Sequence, residues 1–251
     1  MKLIDWIAIL GALAWTPHLV GIVKNWLTKS KVRIITQREV EIGFTTYGPI
    51  FNLRLAFSVE NKDIVISDLK IRVTHESGEE RIFEWQGITQ HMGKMTLPDA
   101  SAMPFEKEQS VLAIKLNIQD IEERFVKFQD PSFLTTQLGY AKEAAKKMSY
   151  LKSENQYEPE TFLREPVMTE LYNFNKHSFS WKGGNYKISI EMQSPEKFDL
   201  VDNIREFNLT PLDIEKMEKN KELLELDYKR IVIGGDEKVD WQWCRPVLVK
   251  A

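Results

Sequence analysis

The sequence predicts an α+β protein: an N-terminal transmembrane helix, an antiparallel β-sandwich interrupted by a helical insertion, and a C-terminal helix with a small hairpin. Three observations predict it. Residues 6–23 carry no charged side chain, the apolar residues of 51–59 recur with a period of two, and that period disappears between about 120 and 177 before returning at 185–192. The 251 residues suffice for one large domain or two small ones, with enough chain to bury a core without disulfides or a structural metal.

The first element is the uncharged run from Trp6 to Val23, bracketed by Asp5 and Lys24. At about 1.5 Å per residue its 18 residues span roughly 27 Å, close to a hydrocarbon core. Trp6 and Trp26 lie near the two ends, where indole rings favour the membrane interface, and Thr16, Pro17 and His18 interrupt the middle. A cleaved leader is a rival reading, because Ala12-Leu13-Ala14 offers a small-x-small site, but the apolar run continues past it. A buried soluble helix is the third reading. Lys24, Lys29, Lys31, Arg33 and Arg38 follow the segment while only Lys2 precedes it, which predicts a single-pass inner-membrane protein with its body facing the cytoplasm. Gly11, Ala14, His18, Gly21 and Asn25 fall three and four residues apart, a stripe suited to packing against another membrane helix. The plainer account is that Gly and Ala are common in spanning helices and that His18 bonds a backbone carbonyl or water.

After the anchor (1–28) the first part of the sandwich is expected over 31–118. Phe51, Leu53, Leu55, Phe57 and Val59 alternate with polar or small neighbours, as do Leu69, Ile71 and Val73, and again Leu112, Ile114, Leu116 and Ile118. Turn residues separate these runs at Tyr47-Gly48-Pro49, Asn61-Lys62-Asp63 and Ser77-Gly78. The helical insertion is expected over 119–178, with Leu134, Leu138, Ala141, Ala145 and Met148 as one apolar stripe and Pro131, Pro159 and Pro166 as breaks. The strands return over 179–210, Tyr186, Ile188, Ile190 and Met192 facing one way and Phe198 to Leu209 supplying a partner. A division into two successive domains is the rival to an insertion. Over 211–251, Thr210-Pro211-Leu212-Asp213 reads as a capped helix start, and 231–244 as a terminal hairpin. With its short alternating strands and the Gly184-x-Tyr186-x-Ile188-x-Ile190 run, the sandwich loosely resembles an immunoglobulin-type module, without the paired cysteines of that family.

The search for chemistry yields little. The four histidines, His18, His75, His91 and His177, lack any spacing that sets two metal ligands on one helix face, so no metal is expected. Cys244 is the single cysteine, which suits a reducing compartment and reads as a small packing side chain rather than a nucleophile. No phosphate-binding loop and no nucleophile elbow is present, so no cofactor is expected. Glu79, Glu80 and Glu84 read as a solvated charged face, and so do Lys142, Lys146 and Lys147. A net charge of -3 and a pI near 5.9 speak against a nucleic-acid partner. Trp241 and Trp243 share one strand face with Val239, either as contacts for a partner or as a seal on the core.

These readings together predict a non-enzymatic, membrane-anchored scaffold, sensor or adaptor whose cytoplasmic β domain binds another protein, as in a bacterial stress or defence assembly. Its expected partners are the lipid bilayer and a membrane or cytoplasmic protein, or a second copy of the chain. One alternative is a membrane-tethered enzyme with a carboxylate-based site, which requires a deep pocket. Another is an externally facing ligand-binding domain.

Overall fold

A computed structural model describes residues 15–23, 28–96, 102–109, 112–118, 120–235 and 238–251, with backbone alone for 89–96 and 102–109. Residues 15–23 form helix α1. Nine strands follow: β1 (Ser30–Thr36), β2 (Glu41–Thr45), β3 (Gly48–Glu60), β4 (Ile64–Ile66), β5 (Asp68–His75), β6 (Glu80–Thr96), β7 (Ala102–Gln109), β8 (Ile114–Leu116) and β9 (Ile121–Gln129). Helices α2 (Pro131–Ser153), α3 (Pro159–Phe162) and α4 (Pro166–His177) come next. The chain then forms β10 (Gly184–Gln193), β11 (Phe198–Val201), β12 (Ile204–Leu209), α5 (Pro211–Glu218), α6 (Asn220–Ile233) and the short β13 (Val249–Lys250).

Period-two alternation places one face of each long strand inside. In β3, Phe51, Leu53, Leu55, Phe57 and Val59 are all buried, and Leu69, Ile71 and Val73 of β5 meet Ile188 and Ile190 of β10 in the same core. At the middle of the sheet, β3 pairs β9 on one edge and, in succession, β2 and β1 on the other. The order continues from β9 through β6, β5 and β10 to β12. The C-terminal tail completes the curl. Cys244 exchanges backbone bonds with Ile42 of β2 (2.9 Å each way), Leu248 donates to Arg38 (2.7 Å), and β13 then pairs β12. Residues 198–209 bend at Asp202, which takes φ 59°, so that β11 lies parallel to β1 while β12 lies antiparallel to β10. Arg205 of β12 reaches back to Thr36 Oγ1 (3.2 Å) and the Ile34 carbonyl (3.4 Å).

The helices pack around a second apolar cluster containing Ala144, Phe162, Met168, Leu171 and Tyr228. They meet the sheet through polar groups. Thr46, in the β2–β3 turn, donates to Asp227 (2.8 Å), whose other oxygen accepts from Arg230 (2.7 Å). Buried Asn220 donates to the Phe44 carbonyl (2.9 Å) and the Gln242 carbonyl (2.8 Å) and accepts from Gln242 N–H (2.8 Å). Gly48 turns here at φ 77°, and a Cβ would lie 2.4 Å from the Phe133 ring, so only glycine allows α2 this close.

Four expectations are corrected. Among the described residues no helix is long and apolar enough to cross a membrane, so the transmembrane anchor is not supported. Of the expected anchor, residues 1–14 and 24–27 lie outside the described residues, and the described helical part, 15–23, carries Thr16, Pro17 and His18 within its apolar run. The antiparallel sandwich is replaced, among the described residues, by an 11-stranded curled mixed sheet, which fits a sandwich only loosely because the β1–β11 pair is parallel, while β4 and β8 pair in a separate two-stranded sheet. The terminal hairpin is absent among the described residues, since Ile231 to Ile233 finish α6 and the tail pairs with β2 instead of with itself. The α2 stripe is also misplaced: Leu138 and Ala145 are exposed, and the covered face carries Phe133, Tyr140 and Ala144. Aromatic stacking moves it, as Phe133 and Tyr140 lie 5.2 Å and 5.1 Å from the Phe174 ring of α4.

Candidate functional site

On the outer face of the sheet β2, β3, β9 and β6 run side by side. Its cross-strand rows follow from register. Glu41 pairs with Asn52, Asn52 with Lys127 and Lys127 with Gly87, while the next row runs Arg54, Phe125, Thr89 and Glu108. Between these rows and the tail lies a cavity of about 220 Å³ lined by Gln37, Glu39, Glu41, Asn52, Arg54, Phe125 and Arg245.

The cations in its wall are committed. Arg54 pairs with Glu123 at 3.2 Å, and Arg245 pairs with Glu41 at 2.8 Å. The acceptors are not all so. Glu39 and the Gln37 side chain make no ion pair or hydrogen bond among the described residues. Asn52 is 6% exposed although its strand position faces outward, and its enclosed Oδ1 has no donor. An enclosed amide oxygen without a partner costs about 1–3 kcal/mol.

Beyond this face the sheet extends as an arm. β9 accompanies β6 only as far as Thr89, whereas β7 remains paired with β6 to Thr96. Residues 90–96 add roughly 23 Å at about 3.3 Å per residue, and among the described residues no third strand pairs with them. A bulge between His91 and Gly93 sharpens the local twist.

A larger depression of about 540 Å³ lies between the outer face of β5–β6 and the start of α2, lined by Lys70, Glu80, Arg81, Glu84, Asp130 and Ser132 among others. Its groups answer one another: Lys70 bonds Glu84 at 2.7 Å, Arg72 holds Glu80 and Glu191, and Asp130 Oδ1 caps α2 through Ser132 N–H (2.9 Å) and Phe133 N–H (3.1 Å).

The residues singled out in the sequence are placed as follows. His18 and Gly21 lie on α1, where every side chain is exposed, and the rest of that stripe, Gly11, Ala14 and Asn25, lies outside the described residues. Trp241 and Trp243 are both half-buried, and the Trp243 ring lies directly over Gly43 of β2, where a Cβ would approach it to 2.6 Å. The Trp243 carbonyl accepts from Lys216 (2.8 Å). Cys244 is buried, with its Sγ–H toward the Asp213 carbonyl (3.3 Å); burial, with the Asp213 carboxylate adding to it, pushes the thiol up to about 11. It is protonated at neutral pH and not poised as a nucleophile. Glu79 is held below the ordinary glutamate range by its bond to Lys182 and serves that pair. His75 fixes a hairpin, its Nε2 donating to the Gly183 carbonyl (3.2 Å) and its Nδ1 accepting from Ser77 N–H (3.2 Å). No group of three or more metal-ligating side chains occurs among the described residues.

Sequence reasoning missed both the cavity and the arm. The cavity joins residues 37–41, 52–54, 125 and 245, which nothing in the linear order connects. The one available signal was Asn52, a short amide at the centre of an otherwise continuous strand, where asparagine is unfavoured. No family model matches the chain, and neither a curated protein nor a solved structure matches it.

Proposed function

We propose that this chain is a non-enzymatic protein-binding module that engages its partner through the outer face of β2, β3, β9 and β6 and through the β6–β7 arm rooted in it. The arm carries the reading. A two-stranded ribbon standing alone is marginally stable in water, and covering it with another protein surface supplies the third layer it lacks. Its root, Thr89–Glu108, continues the row that crosses the cavity at Arg54 and Phe125, so a partner lying along the arm reaches the cavity as well. Among the described residues the thiol is buried, His75 ties a hairpin, and Glu80 and Glu84 are ion-paired.

The test uses register partners Gln90 and Lys107, which a two-residue Asn-Gly turn joins directly once 91–106 are removed. The trimmed full-length chain should keep its melting temperature and lose a protein that the untrimmed chain retains from cells of its source. Sedimentation of both forms identifies a second copy if that is the partner. Retention of the same set of proteins by the trimmed chain, with unchanged self-association, would overturn the proposal.

A further inference from the structure

The backbone of the arm shows how a partner is held, and we infer that the free edge of β6 over residues 90–96 takes up an extended, carboxylate-bearing strand of the partner by main-chain pairing. This rests on the protein-binding reading above and adds the mode of contact and the class of segment. The edge follows from register. In an antiparallel ladder, residues whose backbone groups bond the neighbouring strand alternate with residues whose N–H and C=O turn away from it. Pro104 has no N–H to give, so its pair with Lys94 is one of the non-bonded ones. Lys94 and Thr96, and His91 before the bulge, therefore turn their N–H and C=O away from β7, toward the side that β9 leaves after Thr89. Over residues 121–124 β9 pairs only with β3 among the described residues, so β6 and β9 form a fork with an unpaired edge on each arm.

The two edges of the arm are not equivalent. On β7 an outward position is occupied by Pro104, which removes a donor and blunts that edge against a further strand. On β6 every residue of 90–96 keeps its N–H. The sequence also selects the occupant. Residues 90–96 include Lys94 and no carboxylate, and the register partner of Lys94 is the uncharged Pro104. Two copies joined edge to edge about a two-fold axis would bring Lys94 against or beside its own mate, a like-charge pair. A carboxylate in the incoming strand answers it instead, while Glu123 across the fork is already answered by Arg54 at 3.2 Å. The opposite strand face continues from buried Ile88 to Gly93, Met95, Met103 and Phe105, so the alternate residues of the added strand are apolar.

The experiment titrates the full chain with a capped peptide of about seven residues alternating valine and glutamate, the length of the 90–96 edge, and follows the backbone amides by NMR. Binding should saturate, and the N–H groups of Lys94 and Thr96 should gain exchange protection while those of Glu106 and Glu108, on the β7 edge, do not. In the added strand the glutamates stand opposite Lys94 and also supply the bonding N–H groups. N-methylation of the glutamates should therefore abolish saturation, and N-methylation of the valines should leave it. Replacing glutamate by lysine in the peptide should weaken binding at least about fivefold. Lys94→Pro removes an outward N–H without touching the β6–β7 ladder and should abolish binding; Glu106→Pro, its counterpart on β7, should not. Lys94→Glu should reverse the preference between the two peptides, which a misfolded arm would not do. No saturation by the glutamate peptide, equal effects of the two N-methylations, or protection on the β7 edge would overturn the strand addition. A cellular protein lost on trimming 91–106 yet kept by Lys94→Pro would overturn it too and leave the protein-binding reading standing, whereas that reading falls only if the trimmed chain keeps the same proteins.

Discussion

The interior of the curled sheet and the seam joining it to the helices are both buried, yet they are held in opposite ways. The interior is mainly aliphatic and aromatic: Phe51 lies 6.0 Å from both Phe83 and Phe207, and the Trp181 ring stacks on Phe83 at 5.7 Å. The seam is bridged by Thr46 with Asp227, by Asn220 with the Phe44 carbonyl, and by the Gln137 side-chain amide, which donates to the Thr46 carbonyl. Apolar contact is nondirectional and tolerates a change of shape, whereas a buried hydrogen bond demands its partner. The sheet therefore gains its stability inside, and the helices gain their position at the seam.

The largest effect should come from the interior. Phe51→Ala opens a cavity between the Phe83 and Phe207 rings and should cost about 3–5 kcal/mol in urea unfolding, whereas Phe51→Leu, which keeps most of the volume, should cost about 1.5 kcal/mol or less. Equal losses would show that the interior is held by ring geometry and would break the comparison.

Next comes the seam. Asn220→Leu is close to isosteric, but it strips donors from the Phe44 and Gln242 carbonyls and an acceptor from Gln242 N–H. It should cost about 2–4 kcal/mol, since each enclosed group left unpaired is worth about 1–3 kcal/mol. Hydrogen exchange sharpens the test: protection should fall in 238–244 and at the start of α6 while the amides of β5 and β10 keep theirs.

A third effect decides what Trp243 is for. Gly43→Ala places a methyl 2.6 Å from the Trp243 ring, and the crowding should cost about 1–3 kcal/mol. The double variant Gly43→Ala/Trp243→Leu should recover part of that loss, because the obstruction is the ring itself. Additive costs in the double variant would mean that the loss at Gly43 does not come from the ring, and no loss for Gly43→Ala alone would mean that the ring moves aside freely.

The interior was legible in the sequence and the seam was not, for a physical reason. A period of two in Phe51, Leu53, Leu55, Phe57 and Val59 is a local property of the strand, and burial follows it residue by residue. Seam partners such as Thr46 and Asp227 stand 181 positions apart, and a threonine and an aspartate in isolation read as solvated. The arm escaped because Gln90 to Thr96 and its partner run mix Met, Gly, Lys and Pro without alternation, and the bulge after His91 breaks what period there is. The α2 stripe failed by about one residue, since a count of aliphatics overlooked Phe133 and Tyr140, the two rings that α4 covers. By alternation alone Asn52 faces solvent, and only the tail and β9 beside it reveal that it is enclosed.

The smallest effect lies at a feature fully local in sequence, the start of α5. Thr210 Oγ1 accepts from Asp213 N–H (3.2 Å), and Asp213 Oδ2 accepts from Thr210 N–H (2.9 Å) and its hydroxyl (2.7 Å), a reciprocal cap. Burial raises the Asp213 pKa, but the bonds from Thr210 outweigh it and hold the carboxyl below its ordinary 3.8. A carboxylate depressed in the folded state stabilises fully above its unfolded pKa and loses that contribution as pH falls through the folded one. Asp213→Asn should therefore lower stability by about 1 kcal/mol at pH 7, and the gap from the parent chain should close below about pH 4. Other depressed carboxylates, Asp63 and Glu196 among them, make both chains acid-sensitive, so the difference between the two melting curves is the quantity to follow. If that difference stayed constant from pH 7 to pH 2.5, the Asp213 charge would contribute nothing to the cap, and the bonds from Thr210 would act as neutral ones.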